Sequence, residues 1–425
     1  MKKYLYPEKE QWDTILERPA PEQESLEEMV REVFGRLRQE GDAALRDYTR
    51  RFDGFVTEKL EVSAAEITEA GQQVSPELQE AIALAAANIR TFHAAQRHDE
   101  PPVETMPGVT CRRVSRPIDR VGLYIPGGTA PLFSTVLMLA VPAVIAGSRE
   151  IILCTPGGRE GRVAPEILYA AAVSGVHRIF RVGGAQAIAA MALGTETIPK
   201  VDKIFGPGNR YVTAAKQWAQ QQGTAIDIPA GPSEVLVIAD DTARPAWVAA
   251  DLLSQAEHGP DSQVVLVTWS ERLAAATEKE VSRQLETLPR KEIARQSLEH
   301  GRIILCRDEK EATEISDRYA PEHLILAVEE PERMLQEIRH AGSVFLGHYT
   351  PESAGDYASG TNHTLPTAGY ARVYGGVSLD SYLKKMTVQE ITPAGLEKIG
   401  PAIMTMAAAE GLEGHRRVVE VRQKY

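Results

Sequence analysis

The strongest constraint on the fold is an alternation of short β-branched runs with helical stretches that begins near residue 120. The β-branched runs are VGLYIP, EIILCTP, HRIFRVG, KVDKIFG and TAIDIP. Between them lie STVLMLAVPAVIAG, APEILYAAAVSG, AQAIAAMALG and NRYVTAAKQWAQQQ. Strands that alternate with helices of this length predict a parallel sheet with crossover helices.

A second alternation follows the Pro-Gly sequence PAGPSE at residues 229–234. Its strand candidates are EVLVIAD, SQVVLVTW, RIILCRD, HLILAV and GSVFLG, separated by helical stretches such as AWVAADLLSQAEH and RLAAATEKEVSRQLET. We therefore expect a second parallel α/β unit. A chain of 425 residues is long enough for two to three domains.

The flanking regions are predicted to be mostly helical. Residues 25–38 place their apolar side chains on one helical face, and Ser75 with Pro76 marks the start of another helix. Residues 348–376 lack periodicity and predict a loop. The last fifty residues return to a helical pattern and are too few to fold alone, so we expect them to dock on a larger unit.

Charge and cysteine content narrow the classes of partner. The formal net charge of -12 repels phosphate backbones, so nucleic acid is not an expected partner. Cys111, Cys154 and Cys306 form no CxxC pair, which favours a reducing compartment. The sequence has neither an uninterrupted apolar run of about 18 residues nor the apolar core of a secretory signal. We therefore expect a cytoplasmic protein without membrane contact.

Three glycine-rich turns each follow a predicted strand and lead into a helix: IPGGTAP at 125–131, VGGAQA at 182–187 and FGPGNRY at 205–211. Glycine at the carboxyl end of a parallel strand lets a backbone approach a phosphate, so the three together favour a phosphate-bearing ligand. None fits the dinucleotide fingerprint GxGxxG, because Tyr211 stands where its third glycine belongs. Asp227 has the spacing of a ribose-binding acid, which is weak support by itself.

His258 and His323 each follow a glutamate. Gln255 and His258 lie three positions apart at the end of a predicted helix, so their side chains share a face and could bind one cation. Asp356 and His415 would complete a set of nitrogen and oxygen ligands. Spacing alone does not bring these four together, and a chance arrangement stays open.

Glu322 and His323 are the best candidates for acid/base chemistry. A neutral imidazole can accept a proton near neutral pH, and a carboxylate can orient a water molecule. Adjacent residues of a strand point to opposite faces, so both side chains reach one site only if Pro321 begins a turn there. A solvated glutamate beside a strand-edge histidine is the alternative.

Taken together, these motifs resemble the histidinol dehydrogenase family over nearly the whole chain. The matching stretches are RVGLYIPGGTAPLFSTVLMLAVPAVIAG, VGGAQAIAAMALGT, KIFGPGNRYVTAAK, DIPAGPSEVLVIAD, DLLSQAEHGPDSQ, YAPEHL, AGSVFLG, ESAGDYASGTNHTLPT and AEGLEGH. The resemblance implies an enzyme of histidine biosynthesis that oxidises L-histidinol through L-histidinaldehyde to L-histidine with two NAD. It also implies one zinc ion per subunit.

The resemblance assigns roles to individual residues. It implies zinc ligands Gln255, His258, Asp356 and His415, and NAD contacts Tyr124, Gln186 and Asn209. It implies catalytic residues Glu322 and His323, and substrate contacts Ser233, Gln255, His258, His323, Asp356, Glu410 and His415.

The resemblance also implies an architecture. It consists of two incomplete Rossmann-like domains of aldehyde-dehydrogenase-like arrangement with small helical extensions. The implied division is an N-terminal helical extension (1–20), a discontinuous first α/β domain (21–120 and 234–377), a second Rossmann-like α/β domain (121–233) and a C-terminal helical tail (378–425). The tail is exchanged in a homodimer and brings His415 to the partner's site. In the expected chemistry, His323 removes the hydroxyl proton as hydride leaves. Glu322 then activates the water that adds to the aldehyde, and His323 deprotonates the resulting diol.

Two other function classes stay open from the residues alone. One is a zinc-dependent hydrolase or lyase in which Glu322 and His323 activate water and the glycine turns bind a phosphorylated substrate. The other is a dinucleotide-binding scaffold without turnover. Appearance of NADH with histidinol distinguishes the dehydrogenase from the first, and bound metal distinguishes it from the second.

Overall fold

The computed structural model describes residues 1–19, 26–127, 131–158, 160–228 and 231–424. Its strands are β1 Lys2–Leu5, β2 Val103–Met106, β3 Val109–Pro117, β4 Arg120–Tyr124, β5 Glu150–Thr155, β6 Arg178–Arg181, β7 Lys203–Phe205, β8 Ala225–Ile226, β9 Glu234–Ala239, β10 Gln263–Thr268, β11 Arg302–Leu305, β12 His323–Ala327, β13 Ser343–Leu346 and β14 Leu383–Ile391. Residues 128–130 of the first glycine turn and 229–230 of PAGPSE lie outside the described residues.

Seventeen α-helices lie in the described residues. They are α1 Trp12–Ile15, α2 Leu26–Glu40, α3 Asp42–Tyr48, α4 Ala64–Gln73, α5 Pro76–Ala94, α6 Phe133–Ala146, α7 Pro165–Ser174, α8 Gly184–Leu193, α9 Arg210–Gln221, α10 Pro245–Ala256, α11 Glu271–Leu285, α12 Lys291–Glu299, α13 Glu309–Tyr319, α14 Pro331–Leu335, α15 Glu352–Tyr357, α16 Pro393–Ala409 and α17 Glu413–Gln423.

The two alternating regions form two parallel sheets, which confirms the predicted α/β fold class. The five strands after residue 120 pair in the order β6-β5-β4-β7-β8. The second alternation forms a sheet of order β1-β11-β10-β9-β12-β13. Strands β9, β10 and β12 are buried along their whole length, because helices cover both faces of such a sheet.

The N-terminal residues pack differently from the predicted domain division. Residues 1–20 do not form only a helical extension, because β1 pairs with β11 at the edge of the six-stranded sheet. Helices α2 and α5, assigned to the first domain, pack instead on the five-stranded sheet: Phe34 of α2 lies in the same apolar cluster as Tyr124, and Ile89 of α5 lies with Leu123. Burial of their apolar faces decides this placement. The remaining boundaries stay a prediction.

A third sheet corrects the prediction of an entirely helical tail. Strand β14 runs antiparallel to β3, and β3 also pairs with β2, giving the order β14-β3-β2. Helices α16 and α17 then follow and pack against each other, with Gln423 donating to the Leu396 carbonyl at 3.1 Å. The alternation in LKKMTVQEI is mostly polar, so sequence periodicity did not reveal this strand.

Residues 348–376, predicted as a loop, contain the short helix α15 and connect the two parallel sheets. Asn88 of α5 donates to the Ala358 carbonyl at 2.8 Å, and Asn362 donates to the Met138 carbonyl of α6 at 2.6 Å. At its other end the segment reaches β9, where the Ala368 backbone N–H donates to the Glu234 carboxylate at 2.8 Å. The segment therefore carries its polar side chains into the space between the sheets.

Among the helices of the described residues, none combines the length and the apolar character that crossing a bilayer requires.

Candidate active site

The candidate catalytic residues Glu322 and His323 lie at the amino end of β12 in the six-stranded sheet. His323 begins β12 and is in register with Val235 of β9, so it lies beside Glu234 at the same sheet edge. The glycine turns lie instead at the carboxyl ends of strands in the five-stranded sheet. His323 and the glycine turns thus lie at opposite kinds of strand end, whereas an open α/β sheet by itself binds ligands at its carboxyl edge.

A tight connection lets Glu322 and His323 reach one site. Helix α13 ends at Tyr319, and the next residue, Ala320, has a φ of 53° in the left-handed region. The chain then bends at Glu322 before β12 begins. The left-handed residue is Ala320, one position before the Pro321 named in the prediction. His323 Nδ1 consequently lies 3.6 Å from Glu322 Oε2. The alternation of an extended strand does not apply to this pair, because Glu322 is outside the strand.

The backbone of Glu234 orients both side chains. Its N–H donates to Glu322 Oε2 at 2.8 Å, and its carbonyl oxygen lies 3.1 Å from His323 Nδ1. Because a carbonyl can only accept, Nδ1 carries the proton that it donates. In the neutral imidazole this leaves Nε2 as the proton acceptor. His323 Nε2 is buried and has no hydrogen-bond partner among the described residues.

Carboxylates surround this imidazole. Burial disfavours its charged form, but the carboxylates of Glu352, Glu322 and Asp356 raise the pKa of His323 well above its ordinary value. Burial raises the pKa of Glu322 as well. His323 Nε2 lies 3.6 Å from Asp356 Oδ1, which is longer than a hydrogen bond. Such a concentration of buried carboxylates favours a bound cation.

Three candidate metal ligands meet beside His323. One ligand atom from each of His258, Glu352 and Asp356 lies within 4.8 Å of the others. Gln255 joins them through Glu352: with the amide oriented to satisfy its neighbours, the amide nitrogen donates to Glu352 Oε1 and the amide oxygen accepts from Glu234 N at 3.1 Å. Of the four predicted zinc ligands, the structure therefore brings Gln255, His258 and Asp356 to one place.

These donors fit a divalent zinc ion. Imidazole, carboxylate and amide oxygen are nitrogen and oxygen ligands that zinc accepts. The unpaired Nε2 of His323 beside Asp356 leaves a polar position where a substrate atom and a cation can meet.

The tail residues do not join this cluster in one chain. His415 lies in the exposed first turn of α17, and Glu410 is exposed at the end of α16. The group of ligand atoms found in the described residues comprises three side chains and does not include His415. Ser233 is half-buried just before β9, and its carbonyl accepts from Gln263 N at 3.1 Å. It therefore lies at the site edge next to Glu234.

The predicted NAD residues lie around the carboxyl ends of the five-stranded sheet. Tyr124 ends β4, is buried, and accepts from the Gly184 N–H through its hydroxyl oxygen at 3.1 Å. Burial raises the pKa of Tyr124 to about 12. A Cβ built on Gly184 would lie 2.7 Å from Gln186 Oε1, and one on Gly206 would lie 2.1 Å from the Tyr124 carbonyl oxygen. Glycine at position 184 therefore leaves room for the Gln186 side chain, and glycine at position 206 leaves room for the Tyr124 backbone.

Asn209 and Asp227 both have structural partners. The Asn209 side chain caps α9 by accepting from Tyr211 N at 3.1 Å and Val212 N at 3.2 Å. Asp227, considered a ribose-binding acid from its spacing, forms a buried ion pair with Lys216 and accepts from Gly206 N at 2.8 Å. The Asp227 carboxylate is therefore used inside the protein and does not serve as the expected ribose contact.

Comparison with known proteins identifies the family. A family model described as histidinol dehydrogenase matches residues 16–423. The chain belongs to the histidinol dehydrogenase family. A protein named histidinol dehydrogenase from Bacteroides thetaiotaomicron is 58% identical over 422 residues, covering 99% of both chains. Another from Xylella fastidiosa is 55% identical over 396 residues, covering 93% of this chain and 92% of the relative.

A solved structure supports the same family assignment. The crystal structure of histidinol dehydrogenase from Elizabethkingia anophelis is similar at a TM-score of 0.98 and 54% identity, covering 100% of this chain and 98% of the other. The two-sheet α/β fold is therefore confirmed at the level of the whole chain. Membership in this family of oxidoreductases also speaks against the hydrolase, lyase and scaffold alternatives.

Within this histidinol dehydrogenase fold, sequence reasoning missed Glu352 and His363. Glu352 lies four residues before Asp356 on α15, a spacing that puts both carboxylates on one helical face. Treating residues 348–376 as a loop hid that signal. The His363 ring nitrogens lie 2.9 Å from the Asp356 carbonyl oxygen and 3.1 Å from Thr135 Oγ1 of α6. No local pattern distinguishes His363, because Thr135 is distant in the sequence and the contact with Asp356 is to a backbone atom.

Proposed function

We propose that this chain oxidises L-histidinol through L-histidinaldehyde to L-histidine with two NAD, as the last steps of histidine biosynthesis. The observation that carries the proposal is the buried His323, whose Nδ1 is held by the Glu234 carbonyl while Nε2 faces a cluster of metal-ligand atoms. This arrangement occurs in a member of the histidinol dehydrogenase family.

His323 acts as the base in the first oxidation. Hydride leaves an alcohol carbon only as the hydroxyl loses its proton. A zinc ion among the carboxylates would offset their effect on the pKa of His323, so that neutral Nε2 receives that proton. NAD, when bound, accepts the hydride. The products of this half-reaction are the aldehyde, a reduced cofactor and a protonated imidazole, which returns its proton to solvent before the second half-reaction.

Glu322 acts in the second oxidation. An aldehyde releases a second hydride only after water adds to its carbonyl carbon and forms a diol. Glu322 is buried beside His323 and is held by the Glu234 N–H, which fixes one carboxylate oxygen and leaves the other to accept a proton from water. That proton then passes to the former carbonyl oxygen, which completes the diol. His323 then takes the proton of a diol hydroxyl as the second hydride leaves, and the carboxylate product forms.

We assign one zinc ion per subunit to Gln255, His258 and Asp356, completed by His415 from a second copy of the chain. A bound zinc ion supplies a fixed positive anchor for the imidazole and amine of the substrate. Ser233, Glu410, His323 and the metal ligands form the proposed substrate site. Positioning by these side chains brings the reacting hydroxyl to His323 Nε2.

Tyr124, Gln186 and Asn209 are the proposed NAD contacts. Tyr124 ends β4, and Gln186 and Asn209 follow β6 and β7, so all three lie toward the carboxyl edge of one parallel sheet. Such an edge is the usual place for a dinucleotide in α/β proteins. Since Asn209 already caps α9, its free amide N–H group is the part available to a ligand.

A homodimer with shared sites follows from the C-terminal arm, which we define as residues 383–424. It exposes large apolar side chains, among them Met406 at 66%, Val418 at 53% and Val421 at 52%. Apolar exposure concentrated on one segment marks an association surface. A second copy of the chain that covers this arm also receives Glu410 and His415.

The three cysteines are free, which supports the proposed cytoplasmic location.

The proposal is tested by product stoichiometry. The zinc-loaded protein is incubated with L-histidinol and excess NAD, and NADH and L-histidine are both measured. We expect two NADH for each histidine formed. Release of aldehyde with one NADH would contradict the two-step assignment, and no NADH from a protein with bound zinc would contradict the function.

A further inference from the structure

One buried acid beside the active site has no part in the chemistry above. Glu352 begins α15, and its side chain is only 1% exposed. Its Oε1 accepts from the amide nitrogen of Gln255, which is itself fully buried on α10. A buried carboxylate is costly unless it has a specific partner, so this contact requires a physical explanation.

The contacts of Gln255 fix the orientation of its amide at both ends. The backbone N–H of Glu234 is shared between Glu322 Oε2 at 2.8 Å and the Gln255 amide at 3.1 Å. Because this group can only donate, the amide atom that faces it must be the oxygen. The amide nitrogen then faces Glu352, whose carboxylate accepts from it. Two neighbours on different elements therefore select the same orientation.

This orientation matters because a primary amide ligates a cation only through its oxygen. The Gln255 oxygen has two lone pairs, and the Glu234 N–H uses one of them. The other is available to a cation. In the reversed orientation the protein would present an NH₂ group at that position, which cannot bind a metal.

We propose that Glu352 is a positioning residue of the metal site, which holds the Gln255 amide with its oxygen toward the cation. The proposal rests on the proposed zinc site. Glu352 acts through Gln255 and does not bind the ion itself. One carboxylate oxygen of Glu352 lies in the same group of ligand atoms as His258 and Asp356, but its Oε1 accepts from the Gln255 amide nitrogen.

The test compares two replacements of Glu352 that have similar size. Glu352→Met removes the acceptor, whereas Glu352→Gln keeps a carbonyl oxygen that can still accept from Gln255. Zinc affinity is measured on the full-length protein by competition with a chromogenic chelator. We expect Glu352→Met to weaken zinc binding by about 10- to 100-fold, as for other partners of metal ligands, and Glu352→Gln to remain within about 3-fold of wild type.

A double-mutant cycle separates positioning from direct ligation. If Glu352 acts through Gln255, Glu352→Met has no further effect on zinc affinity in a Gln255→Ala background, because no amide remains to be oriented. Full additivity of the two losses shows that Glu352 binds the metal itself and overturns the proposal. The exposed Glu337→Gln serves as the matched control.

The remaining outcomes are also decisive. Wild-type zinc affinity in Glu352→Met overturns the proposal, and so does a loss of tenfold or more in Glu352→Gln. Thermal unfolding of the metal-free proteins shows whether Glu352→Met folds. If it does not, the zinc affinity of Glu352→Gln still tests the proposal. If the wild-type protein binds no zinc, the proposed metal site is wrong as well. This result is obtained before any variant is compared, so failure of the proposed function is distinguished from failure of the proposal for Glu352.

Discussion

The Nδ1 atom of His323 lies 3.1 Å from the backbone carbonyl oxygen of Glu234 on the adjacent strand. The parallel pairing of β9 and β12 sets this distance, so the tautomer of the base follows from sheet register. A backbone carbonyl does not titrate, and the imidazole therefore keeps Nε2 as its proton acceptor throughout the pH range in which it is neutral.

Replacement of His323 should affect both oxidations. In His323→Asn the side-chain amide can still donate to the Glu234 carbonyl, but no atom accepts the hydroxyl proton. We expect turnover of histidinol and of supplied histidinaldehyde to fall by about 10²- to 10⁴-fold, measured as NADH formation. The exposed His98→Asn should retain wild-type rates. A variant that keeps either half-reaction at the wild-type rate would remove His323 from that step.

Replacement of Glu322 should separate the two half-reactions. In Glu322→Gln the amide can no longer remove a proton from water, so aldehyde oxidation should slow by about 10²-fold or more. Alcohol oxidation should stay within a few-fold of wild type in single-turnover measurements. Glu329→Gln, on an exposed residue just beyond the same strand, is the control. Equal losses in both half-reactions would refute the division between Glu322 and His323.

Mixed dimers test whether the tail serves a partner's site. His323→Asn and His415→Asn proteins should each be inactive, and mixing them with subunit exchange should restore about a quarter of the wild-type activity, because half of the dimers are hybrids with one intact site. Mass spectrometry of differently labelled subunits verifies the exchange. Proven hybrids without activity would place each His415 in its own chain's site.

The ion pair between Arg18 and Glu234 should contribute to the stability of the folded protein. Arg18 binds the buried Glu234 carboxylate through two hydrogen bonds of 2.5 and 2.9 Å and lies 4.0 Å from the Tyr319 ring centroid. Arg18→Ala leaves that carboxylate without its cation, so the free energy of unfolding should fall by about 3 kcal/mol. Arg283→Ala, which breaks an exposed pair with Glu280, should cost less than about 0.5 kcal/mol.

Chemical denaturation measures the free energy of unfolding of the Arg18→Ala and Arg283→Ala variants and of the wild type. Equal effects would show that the Arg18 pair is no stronger than a surface ion pair. The Arg18 variant should also lower the rate of NADH formation, because the Glu234 backbone orients both His323 and Glu322.

Asp53 should make stability depend on pH. Burial raises its pKa from 3.8 to about 6, and Asp53 Oδ2 is buried without a hydrogen-bond partner among the described residues. As pH rises, the unfolded carboxyl ionises first, so the folded wild type loses stability between about pH 4 and pH 6. Above this window the loss is about 1–2 kcal/mol after allowance for partial exposure.

Asp53→Asn cannot ionise and should therefore be more stable than wild type above pH 6 by that amount. Below pH 4 the two proteins should be equally stable. Unfolding by urea at several pH values measures the difference. A difference that does not change with pH would show that Asp53 has an ordinary pKa in the folded protein.

Several features of the site were accessible from sequence because they depend on local pattern. Glu322 and His323 adjoin each other, and Gln255 and His258 share a helical face by their spacing. Glu352 and Asp356 have a comparable spacing, but the low periodicity around α15 concealed it. The contacts of Asp227 with Lys216 and of His363 with Thr135 join distant segments, and no local pattern indicates them.

The sequence by itself determined the two parallel sheets, because the period of buried strands and the length of the intervening helices depend only on local order along the chain. Family membership followed from its motifs for the same reason. Only the tertiary structure decided that helices α2 to α5 pack on the five-stranded sheet, that β14 pairs with β3, and that Glu352 meets Gln255. These contacts depend on which apolar faces and polar groups find partners across hundreds of residues, and that information is not present in any short segment.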